Sequence, residues 1–460
     1  MKGAESLPQH AAGDQRRLAP IKRIAAILFL SLLLLTYILQ PLWQQLPNVK
    51  IPSCLHGHKT IEQRVKRILT KTPLIDGHND LPILLREIYN NHIYNASFTK
   101  PFEEGGLMGH VDIPRLRAGH NGGAFWSVFW PCPANGTDYS DANYASTVQS
   151  TYQQIDLINR LKSAYPDVFA LRAGDSSTAL TSFKNGQLIS PLGIEGLHQI
   201  GNSPSNLRVY YELGVRYATL THNCGNRYAD AALWENPLHK APAVWKGVSP
   251  PGQDLVREMN RLGMIVDLSH TSVDTMVDVL GGNPEKWTGS RAPVIFSHSS
   301  AFSVCPHPRN VPDHVLRLVK ERNSLVMVNF SPDFVSCKES GREDGLPDFD
   351  EENATLEHVV DHIVYIGELI GYDHVGLGSD FDGIPSTPRG LDDVSKFPDL
   401  VAELLRRGVS DKDAAKVVGG NLLRVWKAVD AVAKKLKKEG VPILEDELEP
   451  LTEQVVMLDV

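Results

Sequence analysis

Eight apolar runs punctuate the chain beyond its first seventy residues. They are LIDGH (74–78), AFWSVFW (124–130), LISPLGIE (188–195), RYATLTH (216–222), MIVDLSH (264–270), PVIFSH (293–298), SLVMVNF (324–330) and HVGLGSD (374–380). Most are continuous rather than alternating, the pattern of parallel strands buried on both faces. Between several of them the apolar positions recur at helical spacing, which predicts helices over 61–70, 141–165, 273–282 and 354–371. Residues 411–438 read as terminal helices packed on the same body. Eight strands with intervening helices predict an α/β fold, a (β/α)8 TIM-type barrel. A doubly wound open sheet is the alternative.

The ends of these runs carry the chemistry. The first breaks into polar residues as PLIDGHNDLP, with His78 and Asp80 two residues apart. Glu195 ends the third run, His222 the fourth, His270 the fifth, His298 the sixth and Asp380 the eighth. In a barrel such ends converge on one rim, where enzymes of this architecture place their reactive groups. Side chains two apart on a strand point the same way, so His78 and Asp80 are placed to grip one ion. Neutral imidazoles with carboxylates suit zinc. His270 and His298 are placed to hold a second ion, with one oxygen of Glu195 on each. Two ions about 3.5–4 Å apart bind a bridging hydroxide and polarise a carbonyl. A single strand-end histidine is more often a hydrogen-bonded structural residue, and the chain has 17 histidines. The joint pattern on successive strands carries the inference. Asp76 reads as a satisfier of local backbone donors, and Asp382 as a turn residue before Gly383.

The N-terminus is a separate matter. Residues 24–43, IAAILFLSLLLLTYILQPLW, carry no charge and match the length of a bilayer span. Arg16, Arg17, Lys22 and Arg23 precede it, while only Lys50 follows closely. The positive-inside tendency then predicts a cytosolic tail (1–23), a transmembrane signal anchor (24–43), a stalk (44–60) and a catalytic domain (61–460). That is a single-pass type II membrane protein with its catalytic domain lumenal or extracellular. A cleaved signal peptide is the alternative. Sequons at Asn95, Asn135 and Asn353 fit an oxidising, glycosylating compartment. Asn329-Phe-Ser also matches, but it falls in a strand predicted to be buried and is not counted. The C-terminus, EQVVMLDV, has no long apolar tail for a lipid anchor. The net charge of −8 comes without a basic stripe, which gives nucleic-acid binding no support.

Longer motifs name a family. LIDGHNDLP, PLGIEGLH, YATLTHNC, IVDLSHTSVDTM, APVIFSHSSAF, RNVPD, VMVNF, GLGSDFDG, GLDDVSKFPDL and GGNLLRV occur in one order between about residues 61 and 440. This set resembles the membrane (renal-type) dipeptidases, a peptidase family of the metal-dependent amidohydrolase superfamily. The resemblance implies a (β/α)8 barrel that hydrolyses free dipeptides at a two-zinc site. One zinc would be held by His78, Asp80 and Glu195, the other by Glu195, His270 and His298. His222 would stabilise the tetrahedral oxyanion. Arg309 would pair with the substrate's free carboxylate; its plainer reading is a surface-loop salt bridge. Asp380 would take the proton from the attacking water, pass it to the leaving amine, and meet the substrate's ammonium. A site that pairs both termini is a ruler for two residues, since a longer peptide leaves a buried charge unpaired.

The resemblance also implies tolerance of a C-terminal D-residue, and it opens an alternative substrate, a cyclic C–N bond such as a β-lactam. A metal-free binding protein is a third reading, but it requires a missing ligand and none is missing. The family pattern pairs Cys132 with Cys224 and Cys305 with Cys337. Cys54 is left in the stalk, either linking two chains of a homodimer or as a free or capped thiol. The chain departs from mammalian members in two ways. Those are anchored by a C-terminal lipid, and they carry a tyrosine where Phe334 stands.

Overall fold

The computed structural model describes Ser31, residues 59–171 and residues 174–448. Eight strands form a single parallel sheet in chain order. They are β1 (Leu74–Asn79), β2 (Asn121–Ser127), β3 (Leu192–Glu195), β4 (Val215–Thr219), β5 (Ile265–Asp267), β6 (Ile295–Phe296), β7 (Leu325–Val328) and β8 (Val375–Leu377). Each pairs with the next. The sheet closes on itself just past β8, where Asn79 bridges Phe381 in parallel. There the Asp380 amide donates to the His78 carbonyl at 3.0 Å, and the Asp80 amide to the Phe381 carbonyl at 2.8 Å. This is the TIM-type barrel, with helices outside.

All eight predicted strands are present, with shifted limits. β2 begins at Asn121, three residues earlier than its apolar run, because Gly122 and Gly123 belong to it. A Cβ on Gly123 would meet the Ile189 carbonyl at 2.3 Å, so the close approach of neighbouring chain requires glycine there. The third run keeps only its last four residues as strand. Ile189 makes a lone bridge to Gly123, and Pro191 lacks the donor to continue a ladder.

The helices fall at Ile61–Lys71, Asp141–Ala164, Val273–Val279 and Leu356–Ile370. Ser140, Ser272 and Thr355 each accept from a first-turn amide and set where the last three begin. The terminal segment is two helices, Asp411–Ala415 and Asn421–Lys438, joined by a wider turn in which Gly419 leaves helical geometry. Leu422, Val425, Trp426 and Val429 share one face of the last helix. They pack against Ile75, Phe125, Ile265, Ile295, Leu325 and Met327 inside the barrel. A larger apolar layer lies between the strands and the surrounding helices.

Disulfides join Cys132 to Cys224 and Cys305 to Cys337. The second ties the loops that follow β6 and β7. Asn95, Asn135 and Asn353 are exposed, while Asn329 is fully buried. The predicted tail, anchor and stalk, with Cys54, lie outside the described residues save Ser31, Lys59 and Thr60. Among the described residues no helix is long and apolar enough to cross a membrane.

Candidate metal centre and active-site cleft

The carboxyl ends of the strands bring the predicted residues to one place. His78 lies within β1, and Asp80 follows as the residue that opens the helix Leu81–Tyr89. The expectation that both side chains sit on the strand is therefore corrected: the strand ends at Asn79, and the helix start turns Asp80 inward. His78 Nε2 and Asp80 Oδ2 still meet at 3.0 Å. Gly383 makes room for this, since a Cβ there would stand 2.2 Å from Asp80 Oδ2.

Glu195 reaches both groups of ligands. Its Oε1 lies 2.9 Å from His270 Nε2 and 3.3 Å from His298 Nε2. Its Oε2 lies 3.6 Å from His78 Nε2. Ligand atoms of His78, Asp80 and Glu195 fall within 4.8 Å of one another, as do those of Glu195, His270 and His298. Every Nδ1 is already engaged: with the Tyr217 hydroxyl for His78 (2.7 Å), Asn223 Oδ1 for His270 (2.9 Å) and Ser297 Oγ for His298 (2.8 Å). Those contacts aim each Nε2 at the shared space, as metal-binding histidines require. Asp80 Oδ1 is buried without a hydrogen-bond partner among the described residues. The donor set thus fits two cations bridged by Glu195.

The electrostatics agree. Burial, with Arg309 and neighbouring histidines, holds His270 and His298 well below the usual histidine range, in the neutral form that binds metal. His78 is opposite in sign. Its burial opposes a charge, yet Tyr217, Asp80 and Glu195 outweigh this and raise it well above the usual range. The oxygens that favour a proton on His78 would favour a metal cation among them. Asp80 is raised by burial and by Glu195.

The remaining predicted residues line the same cleft of about 790 Å³. His222 lies three residues beyond β4, with its ring 4.4 Å from that of His270 and 4.7 Å from that of Phe129. Burial, with His198 and Arg309, keeps it neutral. Arg309 is not a surface residue: it is 2% exposed. One of its nitrogens donates to the His298 carbonyl at 3.3 Å, and its Nε has no partner among the described residues. Its guanidinium lies 5.0 Å over the Phe334 ring. Asp380 sits in left-handed backbone (φ 65°), as does His270 (φ 64°). Asn329 donates to Asp380 Oδ2 at 2.9 Å, which leaves Oδ1 facing His78 Nε2 at 3.9 Å. Burial and Asp80 push the Asp380 carboxyl up to about 6, against His78, Arg309 and Asn329.

Two residues were set aside in the sequence. Asp76 behaves as read and accepts from the amides of His78 (3.3 Å) and Ser379 (2.7 Å). Asp382 lies in the turn before Gly383 as read, but it also lines the cleft and accepts from the distant His110 amide at 2.6 Å, while its Oδ2 has no partner among the described residues. Sequence reasoning missed Tyr217, Asn223, Ser297, Asn329 and Glu235. Asp267 was missed too; it accepts from Ser297 Oγ at 2.6 Å and from Thr219. A further grouping of Cys132, His198 and Cys224 holds no metal, because its two sulfurs are bonded to each other.

Comparison with known proteins places this geometry. The family model "Membrane dipeptidase (Peptidase family M19)" matches residues 62–440. Dipeptidase aclJ of Aspergillus oryzae is 45% identical over 452 residues, 97% of this chain and 96% of the relative. A Schizosaccharomyces pombe protein described as an uncharacterised dipeptidase is 48% identical, covering 81% of this chain and 84% of the relative. Among solved structures, a family M19 metallo peptidase called dipeptidase AC superposes with TM-score 0.65 at 25% identity, over 78% of this chain and 98% of that one. A Rhodobacter sphaeroides metallo peptidase, solved with a phosphinate mimic of L-Ala-D-Ala, has the same fold at TM-score 0.63 and 24% identity, over 78% and 99% of the two chains.

Proposed function

The chain belongs to the membrane dipeptidase family, peptidase family M19, and from that premise we propose that it hydrolyses the peptide bond of free dipeptides with two zinc ions bridged by Glu195. One observation carries the reading: the two oxygens of Glu195 face different histidine groups, each turned inward by its own Nδ1 contact. Zinc held there supplies Lewis-acid polarisation of the scissile carbonyl and makes water acidic enough to attack at neutral pH.

The protein's own groups do the rest. Arg309, buried with an Nε that has no partner among the described residues, receives the substrate carboxylate in a forked contact. His222, kept neutral by burial, donates to the developing oxyanion. Asp380 takes the water's proton on Oδ1, while Asn329 fixes Oδ2, and returns it to the departing amine. The cleft limits the substrate by charge. A tripeptide would place neutral amide where Arg309 awaits a carboxylate, and leaving that guanidinium unpaired costs several kcal/mol. Arg309 meets the second residue through its carboxylate, which both configurations carry, and this supports acceptance of a C-terminal D-residue.

We also propose that the catalytic domain is lumenal or extracellular behind the 24–43 anchor, supported by the two disulfides and three exposed sequon asparagines. A homodimer linked through Cys54 belongs to the same proposal, read from the stalk position of that thiol; a non-reducing gel of the full chain tests it.

The functional test is hydrolysis of a panel of di- and tripeptides by the purified full chain, with L- and D-residues at the second position, with and without chelator. Cleavage of dipeptides alone, abolished by chelator, supports the reading. Hydrolysis of a β-lactam with no dipeptide cleavage would move the chemistry to the cyclic C–N bond.

A further inference from the structure

We propose that Glu235 is the counter-charge for the substrate's free α-ammonium, which makes it the second end of the dipeptide ruler that Arg309 begins. The proposal rests on the dipeptidase reading and assigns a subsite within it. Glu235 lies at the tip of a short ribbon formed by Leu233–Trp234 and His239–Lys240. This ribbon follows the loop that carries His222, and Glu235 lines the same cleft as His222, Arg309 and Asp380.

Three observations single it out. First, its Oε2 is sealed from solvent and has no hydrogen-bond donor among the described residues. A desolvated carboxylate oxygen without a donor is costly and calls for an explanation, and a donor supplied by the substrate is the one proposed here. Second, the cleft acids nearest the metal groups each have one oxygen engaged by another residue. Asp80 and Glu195 face the histidines, Asp380 is held by Asn329 for proton transfer, Asp333 accepts from Ser331, and Asp382 is tied through Oδ1 to His110, although its Oδ2, like the Glu235 oxygen, has no partner among the described residues. Third, the spacing suits a dipeptide. A Glu235 oxygen lies within 4.8 Å of a ring nitrogen of His222. Standard bond lengths put an α-ammonium nitrogen about 3 Å from the carbonyl oxygen of its own residue. A carbonyl held by His222 therefore carries its ammonium into reach of Glu235. Burial raises the half-buried carboxyl, and among the described residues it makes no ion pair.

This divides the labour between two carboxylates. The ammonium contact that the family resemblance implies for Asp380 passes to Glu235 in this proposal, and Asp380 is left to move a proton. The cleft then recognises both termini with groups that are not metal ligands.

The test compares L-Ala-L-Ala with propionyl-L-Ala, its analogue lacking only the ammonium, in the full chain and in Glu235→Gln. The wild-type chain is expected to prefer the dipeptide. Glu235→Gln is expected to lower kcat/KM for the dipeptide roughly tenfold, mainly through KM, and to leave propionyl-L-Ala unchanged. An equal loss on both compounds would mean that Glu235 only supports His222, and that overturns the proposal. So would an unchanged preference in the variant. A wild-type chain that cleaves neither compound removes the dipeptidase reading and the proposal together, and the wild-type control separates that result from the others. An unchanged melting temperature and metal content show that the variant is folded.

Discussion

The two ends of the barrel are built on opposite terms. At one end the last helix drives Trp426, Leu422 and Val425 against Ile75, Phe125, Ile265, Ile295 and Leu325. Trp426 and Phe125 lie 5.4 Å apart between ring centroids. At the carboxyl end the buried groups are histidines and carboxylates, and His270 and Asp380 hold left-handed backbone. Each left-handed non-glycine residue costs on the order of 1 kcal/mol and persists only where its surroundings fix it. Here the Ala232 amide grips the His270 carbonyl at 2.7 Å, and the Gly383 amide grips that of Asp380 at 3.1 Å. The apolar end supplies stability that the polar end spends on chemistry. Tyr217 joins them, its ring against Phe125 and its hydroxyl on His78. Gly193 leaves it room, since a Cβ there would stand 2.2 Å from the Tyr217 ring.

That contrast is sharpened by substitutions that should separate activity from stability. Asp380→Asn should lower kcat by roughly a thousandfold, the scale of a lost general base. Its melting temperature should stay level or rise, because a buried charge disappears. Steady-state kinetics beside a thermal melt decide it, and a large loss of stability would break the division. Trp426→Ala should do the reverse, costing about 3–5 kcal/mol in denaturant unfolding through the cavity it leaves, with kcat of the folded enzyme nearly intact.

A pH effect comes next in size. His362 accepts from the Ala301 amide at 3.0 Å and donates to the Val335 carbonyl at 2.8 Å, clamping the loops after β6 and β7. Burial pulls its pKa down to about 4. The unfolded chain takes a proton near pH 6.5 that the folded chain refuses. Stability is therefore complete above pH 6.5 and lost as pH falls toward 4, by roughly 3 kcal/mol from this residue. Buried His198, also lowered to about 4, adds in the same direction. Unfolding curves between pH 7 and 4 should show the slope, and His362→Gln should flatten it. The smallest effect concerns Ser297, which stands between Asp267 and His298. Ser297→Ala should weaken metal binding about ten- to a hundredfold, measured by competition with a chromogenic chelator. Unchanged affinity would show that the ligand needs no support there.

The same contrast explains what could be read from the chain. Strands were legible because parallel strands buried on both faces are continuous apolar runs. The candidate ligands were legible because six of the eight runs break on a histidine or an acid. β2 was misplaced because Gly122 and Gly123 look like a turn until the neighbouring chain is seen against them. Asp80 was placed on a strand although Asp80 followed by Pro82 is a local helix-start pattern, because the apolar run was read through it. Asn223 and Asn329 stayed hidden since each acts on a partner that only folding brings near, 51 residues away in the case of Asn329 and Asp380, while Ser297 stands beside His298 in the chain but shows its role only once Asp267 is seen on it. Tyr217 reads as an ordinary core aromatic until its hydroxyl is seen on His78. Glu235 carries no spacing signal at all. The burial of Arg309 was illegible as well, for its loop looks exposed.

The central claim is that Glu195 bridges two catalytic ions, and the most direct measurement is metal content paired with activity. The full chain would be stripped with chelator, titrated with zinc, and assayed on L-Ala-L-Ala at each step, beside Glu195→Gln. The account predicts that activity saturates at two zinc ions per chain, and that the folded variant binds zinc more weakly and stays inactive. Full activity at one equivalent, or a Glu195→Gln chain that binds two ions and cleaves the dipeptide, would contradict it.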